Sequence, residues 1–281
     1  LTLQDRLSAA RARLIRAGIR QADAAIDVEL YARTILEWDR ARLLTSLQTE
    51  APAALEPRFS DWLSRREQGE PTAYIVGTRE FWGLDFAVSP AVLIPRPETE
   101  FIVEEALAVL RRQAARRVAD IGTGCGCIAV ALAHEVPDCV IVATDISAEA
   151  LHVARDNAER HGVADRIQFA NTSYLDSVEG RFELITANPP YVREGDKAAL
   201  ARDVRHEPDV ALFGGASGLR DIEGVLDAAA SRLTEDGWFV MEFGFGQEDD
   251  VRARVAARDL HLDHVHADLQ GIPRTAIIRR A

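Results

Sequence analysis

The chain has 281 residues, 47% hydrophobic and 28% charged, which is enough apolar content for a packed core and excludes wholesale disorder. Its formal net charge of −12 describes a surface that repels phosphate backbones at long range and favours a basic protein partner. Three cysteines without repeated spacing make no disulfide framework, so a reducing cytoplasm is expected, and no apolar run reaches membrane-spanning length.

The first twenty residues are rich in arginine and nearly free of acid, as in an organelle transit peptide. A plainer account is an amphipathic helix, capped by Thr2, ended by Gly18, with Leu3, Leu7, Ala10 and Leu14 on one face. Arg6, Arg11, Arg13, Arg16 and Arg20 would form a solvated stripe on it, or touch a partner's acidic surface or ribosomal RNA. Helical spacing of apolar residues continues over 24–38, around Leu43 and Leu44, and over 58–69, with Trp38, Phe59 and Trp62 as expected bundle core. From Arg79 to Ile94 the pattern becomes β-rich around Gly83, which predicts a hairpin.

After Pro97 a helix is expected over about 98–113, followed by an alternating rhythm of strands and helices. The strands are predicted at 117–121, 139–144, 167–170, 182–187, 238–242, 262–268 and 275–279. The helices between them are predicted at 126–135, 147–161, 219–234 and 247–258. Such alternation means a doubly wound α/β fold with a mostly parallel sheet of seven strands. The last two strands lack a long crossover and predict an antiparallel edge.

The first of these strands empties into IGTGCGCIAVALA, with Gly122, Gly124 and Gly126 where strand turns into helix. Glycine there lets backbone approach a ligand closely. A dinucleotide fingerprint would need a third glycine where Cys127 stands, and a phosphate loop would need a following lysine and hydroxyl. Asp145 follows the second strand, where a carboxylate can take both ribose hydroxyls. These features imply a nucleoside ligand without pyrophosphate, and S-adenosylmethionine fits, its amino-acid end meeting the loop and Asp120. A tight turn with Asp145 capping the next helix is the bland alternative. Cys125 and Cys127 have no partners for a metal site and are expected to be small packing residues, so no metal is expected.

The fourth strand ends in Asn188, Pro189, Pro190 and Tyr191. In a parallel doubly wound sheet this end lies beside the glycine loop. A planar amide or aryl amine is a poor nucleophile because its lone pair is delocalised. The Asn188 side chain and the Pro189 carbonyl offer two acceptors for its N–H groups, and Pro190 biases residue 189 towards an extended backbone. Tyr191 offers a face for stacking. Catalysis would come from alignment and electrostatics.

With PTAYIVGTREFWGLDFAV (71–88), VLIPRPETE (92–100), DIGTGCGCIA (120–129), NPPY (188–191), HEPDVALFGGASGL (206–219) and MEFGFGQ (241–247), the chain resembles the HemK/PrmC family over nearly its whole length. These are the glutamine methyltransferases of peptide-chain release factors. The resemblance implies a Rossmann-like class I methyltransferase fold with a small N-terminal helical domain. The implied division is a substrate-binding part at 1–75, a hairpin linker at 76–96 and the transferase at 97–281. It implies that S-adenosylmethionine is held by Asp120, Gly122, Thr123, Gly124, Cys125, Gly126 and Asp145, with Asn188 also touching it. The target glutamine, in the Gly-Gly-Gln loop of class 1 release factors, would meet Asn188, Pro189, Pro190 and Tyr191. Arg96, Thr99 and Glu100 would close over the cofactor. Where the family often has an acid followed by an aromatic after the third strand, this chain has Asn171, Thr172 and Ser173, so Ser173 is assigned to the adenine.

Two other substrates share the chemistry: a glutamine of a large-subunit ribosomal protein, and the amino group of a nucleic-acid base such as adenine. A DNA enzyme must also grip phosphates and flip a base. Residues 188–210 set four basic side chains against five acids, so direct DNA binding is not expected, nor is a membrane partner; a monomer is expected. His261, His264 and His266 are expected on a solvated edge strand.

Overall fold

The computed structural model describes residues 1–112 and 117–281. They form two compact units, Leu1–Gly77 with Ala201–His206, and Thr78–Leu200 with Glu207–Ala281. The predicted hairpin therefore falls in the second unit from Thr78 onward.

The first unit is helical: α1 (Leu3–Arg16), α2 (Gln21–Leu36), α3 (Arg40–Thr45), α4 (Arg58–Glu67) and α5 (Thr72–Val76). Helix α1 starts on a reciprocal cap, in which Thr2 Oγ1 accepts from Asp5 N at 3.1 Å and Asp5 accepts from Thr2 N at 3.0 Å. Such a cap contributes about 1 kcal/mol. Leu3, Leu7, Ala10 and Leu14 are buried on one face, together with Phe59 and Trp62. Tyr31 meets Trp62 edge to face, with centroids 5.4 Å apart. Helix α2 stops where Glu37 turns left-handed at φ 54°, so Trp38 lies outside it and packs from the rim. Three of the five stripe arginines are paired within the unit: Arg6 with Glu56, Arg13 with Glu67 and Arg20 with Asp23. Inside, Arg66 Nε donates to Asp27 at 2.8 Å and Thr72 Oγ1 donates to the same carboxylate at 2.6 Å.

The second unit begins with the hairpin β1 (Thr78–Phe81) and β2 (Leu84–Ala87), then α6 (Glu100–Arg112). Residue 113 of the expected helix lies outside the described residues. There follow β3 (Arg117–Ile121), α7 (Cys127–Glu135), β4 (Val140–Asp145), α8 (Ala148–Arg160), β5 (Ile167–Asn171) and β6 (Phe182–Ala187). After these come α9 (Asp209–Leu212), α10 (Arg220–Arg232), β7 (Leu233–Glu242), α11 (Glu248–Ala256), β8 (Leu260–Ala267) and β9 (Pro273–Arg280). The sheet runs β5-β4-β3-β6-β7-β9-β8. Its first five strands pair in parallel, while β9 pairs antiparallel with both β7 and β8. Strands β3, β4 and β6 are buried almost throughout, as a sheet covered on both faces requires.

This order makes β3 and β6 the switch point, because the chain builds outward through β4 and β5 and then returns to the other side of β3. Ile121 pairs with Ala187 and with Thr144. The residues that follow, Gly122 and Asn188, therefore leave neighbouring strand ends, where ligands bind in open α/β sheets. Ala187 also pairs with Met241, so Asn188 and Glu242 emerge side by side. Strand β7 starts earlier than predicted, at Leu233. The polar stretch Glu235–Gly237, left between the predicted helix and the predicted strand, belongs to the strand: Leu233 pairs with Phe182 and a bulge absorbs the offset before Trp238.

Candidate active site

A cavity of about 380 Å³ opens at these strand ends, within the size range of small-molecule sites. Its walls include Gly122, Thr123, Gly124 and Cys125 from the loop after β3, Asp145 after β4, Thr172, Ser173 and Tyr174 after β5, and Asn188, Pro189 and Pro190 after β6. The loop is built for close approach. Gly122 and Gly124 have φ of +70° and +57°, and a Cβ on either would meet nothing within 4 Å, so bare backbone faces the opening. Gly126 does not line the cavity: a Cβ there would fall 3.1 Å from that of Ala154, and its absence lets α7 and α8 close up.

Asp145 does not cap the following helix. Ser147 does so, accepting from Ala150 N at 3.1 Å. The Asp145 carboxylate instead accepts from Gly124 N and from Ser147 N, each at 2.9 Å. Burial raises its pKa and these backbone donors oppose the rise. A carboxylate has about four acceptor positions, so capacity remains on the cavity side.

Asp120 departs from the sequence expectation. It is wholly buried and absent from the cavity wall. Its two oxygens accept from Thr123 Oγ1 at 2.6 Å and Thr186 Oγ1 at 2.8 Å. Burial pushes its pKa up to about 6, against the lowering effect of the two hydroxyls. Asp120 thus sits behind the loop and holds Thr123, because its strand position points between β3 and β6 rather than out of their ends.

Asn188 lines the cavity and its Nδ2 donates to Thr99 Oγ1 at 3.0 Å. Tyr191 does not line it. Its ring packs against the sheet core, and its hydroxyl donates to Glu242 Oε1 at 2.9 Å. The Glu242 charge, and then burial, hold the phenol well above its ordinary pKa, so it stays a donor. Of the IPRPETE stretch Pro95 and Thr99 reach the wall, beside Ala91 to Leu93. Arg96 pairs with Glu207, whose other oxygen takes Ile94 N at 3.0 Å. Glu100 accepts from Trp82 N at 2.9 Å and so tethers the hairpin. Arg96 and Glu100 brace the wall from outside and do not close over the cavity.

Several contributors escape sequence reasoning. Tyr174 and Asp221 both line the cavity, joined by a 3.0 Å hydrogen bond from the phenol. Gln247 pins three backbone segments, accepting from Gly244 N at 2.8 Å and donating to Tyr191 O and Gly218 O at 3.1 and 3.2 Å. The Gln247 signal was present in the MEFGFGQ motif, but nothing in that motif says what it holds. Cys125 and Cys127 are buried on the cavity wall, and the neighbouring Cys125 thiol together with burial holds the Cys127 thiol well above its ordinary pKa. Among the described residues no group of three or more metal-ligating side chains converges. His264 and His266 lie on β8 and meet Glu105 instead.

Two family models match the chain: the PrmC N-terminal domain over residues 5–77 and the methyltransferase small domain over 100–212. A release factor glutamine methyltransferase of Bradyrhizobium diazoefficiens is 41% identical over 279 residues, covering 95% of this chain and 93% of its own. That of Neisseria gonorrhoeae is 40% identical over 255 residues, covering 90% and 92%. Among solved structures, the hMettl16 catalytic domain superposes with a TM-score of 0.58 at 17% identity, over 78% of this chain and 82% of its own. Ribosomal protein L11 methylase from Lactobacillus delbrueckii subsp. bulgaricus gives 0.50 at 24%, over 66% and 80%. These structures share the seven-stranded methyltransferase fold. At such identity over nearly the full length of both chains, the protein belongs to the release factor glutamine methyltransferase family.

Proposed function

We propose that the protein transfers a methyl group from S-adenosylmethionine to the side-chain amide nitrogen of the glutamine in the Gly-Gly-Gln motif of class 1 peptide-chain release factors, acting as a cytoplasmic monomer. Residues 1–75 would serve substrate binding, 76–96 form the hairpin, and 97–281 the transferase. The names of the full-length relatives support the substrate. Among the described residues no helix is long and apolar enough to cross a membrane.

The residues around the cavity fit the cofactor. Side chains at 122 and 124 would point into its open space, so only glycine leaves that room while holding a positive φ. Asp145 keeps acceptor capacity for two ribose hydroxyls after taking two backbone N–H groups. Thr123, Cys125 and Ser173 complete the wall around it. Asp120 and Gly126 contribute from behind by fixing the loop.

S-adenosylmethionine supplies an electrophilic sulfonium methyl when bound. The chain supplies alignment. Asn188 Oδ1 and the Pro189 carbonyl accept the two N–H groups of the target amide, which turns its nitrogen lone pair out of conjugation and towards the donor. Pro190 stiffens the turn, and Tyr191 acts through its anchor on Glu242. No general base is required before transfer, because the product cation loses its proton readily to water.

The observation that carries this reading is the orientation of Asn188, whose Nδ2 is held by Thr99 while no described residue donates to its Oδ1. Asn188→Ala should retain S-adenosylmethionine affinity while lowering single-turnover transfer roughly a hundredfold, the effect of losing one positioned hydrogen bond. Unchanged transfer in that variant would remove the mechanism.

A further inference from the structure

Glu242 enters the proposed chemistry only as the anchor of Tyr191, yet its other oxygen is also engaged. It is 1% exposed at the end of β7 and makes no ion pair among the described residues. An unpaired buried carboxylate is costly to keep unless its hydrogen bonds do something. Its partners are two hydroxyls: Tyr191 donates to Oε1 at 2.9 Å and Thr99 donates to Oε2 at 2.7 Å. Thr99, 2% exposed, is in turn the partner of Asn188 Nδ2 at 3.0 Å.

The chain of polarity in this relay has one direction. A carboxylate only accepts, so the single hydroxyl hydrogen of Thr99 is committed to Glu242. What Thr99 then presents to Asn188 is a lone pair. A lone pair can be met by the NH₂ end of an amide and not by its carbonyl. The two ends of the Asn188 side chain are nearly identical in shape, and hydrogen bonding alone decides which faces where. With NH₂ turned to Thr99, the carbonyl oxygen faces the cavity.

We propose that Glu242 and Thr99 are positioning residues that set which way round the Asn188 amide stands, so that an acceptor and never a donor meets the N–H of the target. The inference rests on the reading of Asn188 as the acceptor for a glutamine amide. Through Tyr191 the same carboxylate also anchors the far end of the tetrapeptide, so one buried charge fixes both of its outer residues. Removing the Thr99 hydroxyl releases the amide to rotate, and a rotated amide opposes two N–H donors to the N–H groups of the substrate.

The test uses the full chain, S-adenosylmethionine and a class 1 release factor, with three variants: Thr99→Val, which keeps shape without the hydroxyl, Thr99→Ser, which restores it, and Glu242→Gln. Cofactor affinity is measured by calorimetry and transfer in single turnovers. Thr99→Val and Glu242→Gln should slow transfer roughly ten- to hundredfold with cofactor affinity unchanged, and Thr99→Ser should recover most of the rate. Wild-type transfer by Thr99→Val, failure of serine to rescue, or rate and cofactor affinity falling together would overturn the relay while leaving the function intact. Absence of transfer by the wild-type protein would instead remove the proposed function, and the relay with it.

Discussion

The ring of Tyr174 occupies the space that a side chain at Gly224 would need: a Cβ there would lie 2.1 Å from Tyr174 Cζ. Gly224 is inside helix α10, where glycine costs about 1 kcal/mol relative to alanine. Tyr174 itself is held at φ +44°, a conformation bulky residues rarely adopt. The Tyr174 hydroxyl is tied to Asp221, and its carbonyl accepts from Thr144 Oγ1 at 2.8 Å. Gly224→Ala should therefore destabilise the protein by about 1–3 kcal/mol despite the better helix former, and should weaken S-adenosylmethionine binding by displacing a cavity wall. In a Tyr174→Ala background the same change should stabilise, because only the propensity gain remains. Thermal unfolding of the four proteins checks the sign reversal; stabilisation of the wild-type background would contradict it.

Asp145 joins the glycine loop to the cavity through its 2.9 Å bond from Gly124 N. Asp145→Asn keeps the shape but replaces an acceptor-only group with one that has a donor end. Loss of charge-assisted hydrogen bonds of about 1.5–3 kcal/mol should lower S-adenosylmethionine affinity roughly ten- to hundredfold. Calorimetry reads this directly, and an unchanged dissociation constant would place the ribose elsewhere.

The buried Asp120 makes stability depend on pH in a defined direction. Its folded pKa is about 6, above about 3.9 for an unfolded chain, so the folded state binds the proton more tightly. The stabilisation from this group is complete below about pH 4 and is lost as pH rises through about 6. The loss amounts to roughly 3 kcal/mol. Asp120→Asn removes the titration, so its stability relative to wild type should climb between about pH 4 and pH 7. Urea unfolding across that range tests it; a difference that does not vary with pH would contradict the burial of this carboxylate.

Much of the second unit is legible in the sequence because its strands are short apolar runs ended by residues that cannot continue them. Strand β3 stops at the first glycine of its loop and β6 at Asn188 before two prolines, which is why both ends are read correctly. Strand β7 is misjudged because Glu235, Asp236 and Gly237 look like a turn, and only pairing of Leu233 with Phe182 across the sheet keeps them in the strand. Side-chain direction is less legible than position. An aspartate at a strand end faces ligand or core according to the pleat, and Asp120 faces the core. Thr99 and Glu242 stand 143 residues apart, so the link between them belongs to the fold and not to any local pattern. The arginine stripe of α1 is visible in the sequence, but its acceptors Glu56 and Glu67 arrive from a different part of the chain.

The methyl acceptor can be identified directly. Purified class 1 release factor, the same factor with the glutamine of its Gly-Gly-Gln loop changed to alanine, and duplex DNA would each be incubated with the protein and methyl-labelled S-adenosylmethionine. Label is expected on the unaltered factor alone. Label on the alanine variant or on DNA would contradict it, moving the target away from that glutamine while leaving the fold and its cavity unchanged.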